Sequence, residues 1–228
     1  MITGNIMSKL YWFLAQKPNV PPTTIYKYPR HSQTSVSICP QTKKLDKKIL
    51  EIDMPYHLKI ERNKQGIFNF ISKDVDQENI QYENPILNVT SFIRDKDIVI
   101  HFVMPYCFMS DDKDLEGYQM MVKSNTKHKF NGAEIIEGLL PVGRYGRIID
   151  LALYVPKNTK VELFKGEPIF RLVFNKDVDI KHIVPTDAII EYTNSIGDVT
   201  KYTKGVKDIF KKAFITYPYK ELSKCDII

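Results

Sequence analysis

Glycine is scarce, at 10 of 228 residues. No G-x-S-x-G, G-x-x-x-x-G-K-[S/T] or G-x-G-x-x-G run occurs anywhere in the chain. Hydrolase elbows, P-loops and dinucleotide-binding turns need glycine where the backbone turns sharply or approaches a phosphate, so these three classes are excluded. Cysteine is also sparse. Cys39, Cys107 and Cys225 are far apart and show no C-x-x-C spacing. That argues against a zinc ribbon or a secreted disulfide framework and for free thiols in a reducing compartment. Cys39 and Cys107 have proline or aromatic neighbours rather than basic ones, and read as buried structural residues. The five histidines (His31, His57, His101, His128 and His182) form no H-x-H or H-x-x-x-H pair. Neither a metal nor a cofactor is expected from them. No apolar stretch approaches the ~20 residues of a membrane span. The run from Leu10 to Ala15 is followed by Gln16, Lys17 and Pro18 and is too short for a signal-peptide core. The expected location is therefore cytoplasmic, with no secretory signal and no membrane span.

What is present points to β-structure. Hydrophobic residues make up 43% and charged residues 26%, an ordinary globular balance. Tyr (13) and Phe (12) are abundant beside many Ile and Val, the residues that suit a pleated, half-buried surface. Short runs bounded by Pro, Gly and polar clusters read as strands over residues 34–39, 49–60 (broken at Pro55), 67–72, 86–90, 98–104, 118–123, 133–140, 148–155, 160–163 and 169–174. Residues 98–104 are apolar on both faces, as a buried strand requires. The expected fold is an all-β sandwich, jelly roll or barrel of about ten strands over residues 34–185. Pro18, Pro21, Pro22 and Pro29 punctuate residues 1–33, which read as an irregular, aromatic N-terminal arm. Residues 186–228 read as a C-terminal helix and tail. Val199, Tyr202, Val206, Ile209, Phe210, Ala213 and Phe214 recur at helical spacing among lysines, with Asp198 as N-cap and Pro218 beyond the end.

The net charge of +6 is concentrated in two segments. Residues 41–64 and residues 197–228 each hold seven basic and four acidic residues, a net +3 apiece. One reading is a solvated surface. The other is a nucleic-acid or anionic-membrane footprint; the nucleic-acid reading requires Lys43, Lys44, Lys47 and Lys48 to share a face with the C-terminal lysines. Asp112, Asp114 and Glu116 followed by Gly117 imitate the start of a calcium-binding loop. Lys123 stands where the bidentate carboxylate is needed, so residues 111–116 read as a solvated loop between strands.

One region carries a motif order. Gly117-Tyr118-Gln119-Met120-Met121-Val122-Lys123-Ser124 is followed by Glu137-Gly138-Leu139-Leu140 and by Tyr145-Gly146-Arg147. Lys165-Gly166-Glu167-Pro168-Ile169-Phe170-Arg171-Leu172-Val173-Phe174 closes it. This order resembles the trimeric dUTPase family, with its strand ending in a basic residue and serine, its G-x-I-D-x-D-Y-x-G hairpin and its K-G-D-x-I-A-Q-L strand. Extended back to Cys39-Pro40 and Met54-Pro55-Tyr56, the region also resembles an uncharacterised family of small tailed-phage proteins. The first resemblance implies a nucleotide- or anion-binding surface made by Lys123, Ser124, Arg144, Tyr145 and Arg147. The second implies a viral origin. The hairpin departs from the dUTPase pattern: with Gly138 and Gly146 set on its glycines, Pro141 replaces the water-activating aspartate. A proline cannot act as a general base, and the glycine-rich phosphate arm is missing, so dUTP hydrolysis is not expected. The leading expectation is a non-catalytic viral protein acting through binding or assembly as a homo-oligomer or with a virion partner. The alternatives are a nucleotide- or small-anion-binding protein and a nucleic-acid binder.

Overall fold

The computed structural model describes residues 7–14, 30–31, 47–72, 92–94, 97–122, 127–197 and 215–228. The described residues are mostly strand and form three sheets packed as an all-β sandwich. The seven-stranded sheet holds β15 (Asp226–Ile227), β14 (Val178–Val184), β1 (Ser8–Leu14), β7 (Asp97–Ser110), β11 (Arg147–Tyr154) and β9 (Glu134–Ile135) in that order, and β6 (Phe92–Arg94) also pairs with β7. The five-stranded sheet runs β10 (Gly138–Leu140), β8 (Gly117–Met121), β13 (Pro168–Phe174), β3 (Ile49–Asp53) and β2 (Arg30–His31). The three-stranded sheet runs β12 (Thr159–Leu163), β4 (Leu58–Arg62) and β5 (Phe68–Ser72). Two helices are described, α1 (Asp187–Gly197) and the single turn α2 (Tyr219–Leu222).

The main core lies where the three sheets face one another. Leu10 and Trp12 of β1, Leu50 and Ile52 of β3, Leu58 and Ile60 of β4 and Leu172 and Phe174 of β13 all enter it. A second core covers the other face of the seven-stranded sheet. Tyr11 and Phe13 of β1 and Cys107 and Met109 of β7 meet Ile189 and Tyr192 of α1, with Tyr217 and Leu222 from the C-terminal segment. Residues 98–104 fall within β7, where Val99 to Val103 pair with β11 and Ile98 and Val99 pair with β6 on the other side; Val99 and Ile100 are buried.

Two expectations are corrected. Part of the segment read as an irregular arm, Ser8–Leu14, is an interior strand, parallel to β14 and antiparallel to β7. Its residues alternate between two cores, so both sides of the strand are apolar and no period-two pattern survives. Residues 186–197 also contain a helix that begins before Asp198. Ile189, Tyr192 and Thr193 form its buried face at three- and four-residue steps. Isoleucine, threonine and tyrosine are modest helix formers, which hides it in the sequence. The lysine-bearing helix expected over residues 198–214, the strands expected over 34–39 and 86–90, and Cys39 all lie outside the described residues.

Candidate functional site

Of the five residues expected to bind a ligand, Lys123 and Ser124 lie outside the described residues. Arg147 opens β11, its backbone opposite Phe108 of β7. Arg144 and Tyr145 occupy one turn but face opposite environments. The Pro141 carbonyl accepts hydrogen bonds from both of their amides, at 2.9 and 2.8 Å, which coils the turn tightly. Arg144 is exposed; its guanidinium donates to the Asp114 carboxylate at 3.0 Å and to the Lys113 carbonyl at 2.9 Å. Tyr145 is buried in the second core and offers no ring face to a ligand arriving from solvent.

The surroundings of this turn are structural. Gly143 passes so close to the Asp112 carbonyl that a Cβ there would collide with it. Tyr219 donates to the Gly143 carbonyl at 2.6 Å, and the Lys113 ammonium sits 5.1 Å from the Tyr219 ring centre. In the 111–116 loop, Asp112 accepts from Ser8 Oγ at 2.6 Å and from Lys176 Nζ at 2.7 Å. Burial alone would raise the Asp112 carboxyl, but the Lys176 and Ser8 hydrogen bonds hold it below its ordinary range. That carboxylate therefore ties β1 to the loop and to Lys176. Among the described residues, no three His, Cys, Asp or Glu side chains are grouped as metal ligands. No helix of the described residues is long and apolar enough to cross a membrane.

A different surface stands out, the outer face of the five-stranded sheet. Register places Leu139 of β10 opposite Tyr118 of β8, Tyr118 opposite Val173 of β13, and Val173 opposite Ile49 of β3. All four point away from the core, forming one apolar row across four strands. Leu139 is 60% exposed and Tyr118 42%. The next outward row is Met120, Arg171 and Glu51, with Met120 36% exposed. Arg171 donates to one Glu51 oxygen through Nη2 at 2.8 Å and Nε at 3.1 Å. Tyr118 donates its hydroxyl to Glu137 at 2.8 Å, and that carboxylate raises the phenol above its ordinary pKa. The face therefore offers apolar contact area with a few fixed polar groups at its margin.

Polarity along β8 is inverted relative to an ordinary half-buried strand. Tyr118 and Met120 face out, while Gln119 between them is 5% exposed and faces the core. Among the described residues the Gln119 side-chain nitrogen has no hydrogen-bond partner. The sequence places a strand over residues 118–123 but does not reveal which of its faces meets solvent. The signal that could have found the surface is this Tyr-Gln-Met inversion, a polar residue inside two large apolar ones outside.

The cations of the three-stranded sheet are already engaged. Lys59 and Lys160 both pair with Glu61, each at 3.1 Å, and Lys129 pairs with Glu162 at 3.2 Å. The Lys160 and Lys59 hydrogen bonds lower the Glu61 carboxyl, and the Lys129 and His57 bonds lower that of Glu162. The described architecture is thus that of an all-β sandwich with one outward apolar sheet face. No known family model matches the chain, and a search of curated proteins finds no match.

Proposed function

We propose that the chain is a non-catalytic binding or assembly protein of the tailed-phage kind, which associates with further copies of itself through the outer face of its five-stranded sheet. The observation that carries this reading is the Leu139–Tyr118–Val173–Ile49 row, with Met120 beside it. An apolar row crossing four strands is contact area that a lone soluble domain has reason to minimise. A two-fold pairing buries the same patch on both copies, the usual geometry of homodimers. The shared order of the Cys39-Pro40, Met54-Pro55 and Lys165-Gly166 motifs supports the viral origin. A place in the host cytoplasm or in the virion follows from that origin.

The test is multi-angle light scattering across a range of protein concentrations. The wild-type chain is expected to be a homo-oligomer, and the double variant Leu139→Lys, Met120→Lys a folded monomer. Both side chains are exposed, so the substitutions leave the cores intact. A wild-type monomer at every concentration overturns the reading, as does a double variant that keeps the wild-type mass.

A further inference from the structure

Away from the outer sheet face, three segments meet at one buried histidine. His128 lies between β8 and β9, and its ring nitrogens are both occupied by the connection that leads from β12 into β13. The Phe164 amide donates to His128 Nδ1 at 2.9 Å, and His128 Nε2 lies 3.3 Å from the Glu167 carbonyl oxygen. A backbone N–H can donate only to a ring nitrogen that lacks a proton. The single proton of the neutral ring therefore sits on Nε2, which donates to Glu167. The adjacent Lys129 exchanges both backbone hydrogen bonds with Glu162 of β12, each at 2.9 Å. The same turn is tied to the end of β3, because Gly166 donates to the Met54 carbonyl and Met54 to the Glu167 carbonyl, each at 2.8 Å. One imidazole thus fastens residues 127–130 to the turn joining the three-stranded and five-stranded sheets.

We propose that His128 is an acid-sensitive clamp, whose protonation at Nδ1 breaks the Phe164 bond and opens residues 127–130 away from the β12–β13 turn. The cationic ring would set an N–H against the Phe164 N–H, a contact that cannot be a hydrogen bond. The surrounding charges do not rescue it. Glu167 and Asp53 favour the cation, but Glu167 is paired with Lys127 at 3.2 Å. Glu162 is shared by Lys129 and by His57, whose Nε2 lies 3.2 Å from it. Lys127 and Lys129 flank the ring on its own segment and oppose a further positive charge. Burial is the dominant influence and pushes the ring below the ordinary histidine value of 6.5. The unfolded chain therefore takes up the proton first. The stability this ring contributes is complete above pH 6.5 and is lost as pH falls through the lower folded value.

The experiment is hydrogen exchange of the full chain at about pH 7.5 and about pH 5.5, corrected for intrinsic rates. A severalfold loss in protection at the Phe164 and Lys129 amides is expected at the lower pH. His128→Asn puts a carboxamide oxygen where Nδ1 accepts and cannot titrate, while His57 and His182 remain. Its protection at these amides is expected to be the same at both pH values. Unchanged wild-type protection overturns the clamp, as does a pH-dependent loss in His128→Asn equal to that of the wild type. Should His128→Asn fail to fold, nitrogen NMR of the wild type decides. An Nε2–H tautomer that persists below the ordinary histidine range, lost together with the Phe164 protection, sustains the clamp. An ordinary titration midpoint overturns it.

Discussion

Gln119 is the residue whose chemistry fits its place least. It sits within the sandwich between Tyr118 and Met120, and its amide nitrogen has no partner among the described residues. A buried amide without a hydrogen bond is a standing cost of about 1–3 kcal/mol. Its pairing partners across the sheet are Leu172 and Gly138, and among the described residues nothing lies within 4 Å of the point where a Cβ on Gly138 would project. Space beside the amide is thus available. Gln119→Leu keeps similar volume and removes the unpaired group, so it is expected to raise unfolding stability by about 1 kcal/mol in urea denaturation. A variant less stable than the wild type would mean that the amide holds a bridging water or another partner. The inversion also explains the limit of the sequence reading here. Alternation assigns Tyr and Met inward by default, and only packing reveals that Gln119 took the inner position.

Individual elements were legible where their two faces differ or where they are bounded by turn residues. β3 and β4 separate at Pro55 as expected, and β11, β12 and β13 fall within a residue or two of the segments read from the sequence. β1 and α1 were not legible, because the reason for each lies in the other. β1 is apolar on both sides since α1 and the C-terminal segment cover the face that β3, β4 and β13 do not. The Arg144–Tyr145 turn falls in the gap between the strands read over residues 133–140 and 148–155, but its buried side could not be known without Tyr217 and Tyr219. Those tyrosines fasten the C-terminal segment to this turn. The Tyr217 oxygen accepts from the Ser110 amide at 2.8 Å and lies 2.7 Å from the Val142 carbonyl. Its hydroxyl therefore bridges the end of β7 and the 141–146 turn inside the second core. Tyr217→Phe keeps the ring packing against Tyr192 and removes only this bridge. It is expected to cost about 1–2 kcal/mol, with the loss of exchange protection concentrated at Ser110 and in α2. A uniform loss across both cores would show that the bridge is no local fastening.

At the scale of the whole molecule, the two cores respond to opposite ends of the pH range. The junction beside the main core depends on a neutral His128, which acid removes. The second core depends on neutral tyrosines. Burial raises Tyr11 to about 12, with Asp111 adding to the effect, and it pushes Tyr192 and Tyr217 further above the ordinary phenol value of 10.0. A raised phenol keeps its proton in the folded chain after the unfolded chain has lost it. The stability these groups contribute is complete below pH 10.0 and declines as pH rises through the folded values. Urea unfolding followed across pH is therefore expected to show a plateau bounded by the histidine value of 6.5 and the phenol value of 10.0, with a decline on each side. The two declines have separate origins, so they should respond to separate substitutions. Tyr192→Phe lowers the plateau only by the packing and bonding that its hydroxyl supplies, and it makes the alkaline decline shallower without moving the acid one. Tyr11→Phe acts in the same direction and frees Asp111, whose carboxylate accepts from the Tyr11 hydroxyl at 3.2 Å. An alkaline decline that keeps its slope in both variants and in Tyr217→Phe would place its cause outside these three buried phenols.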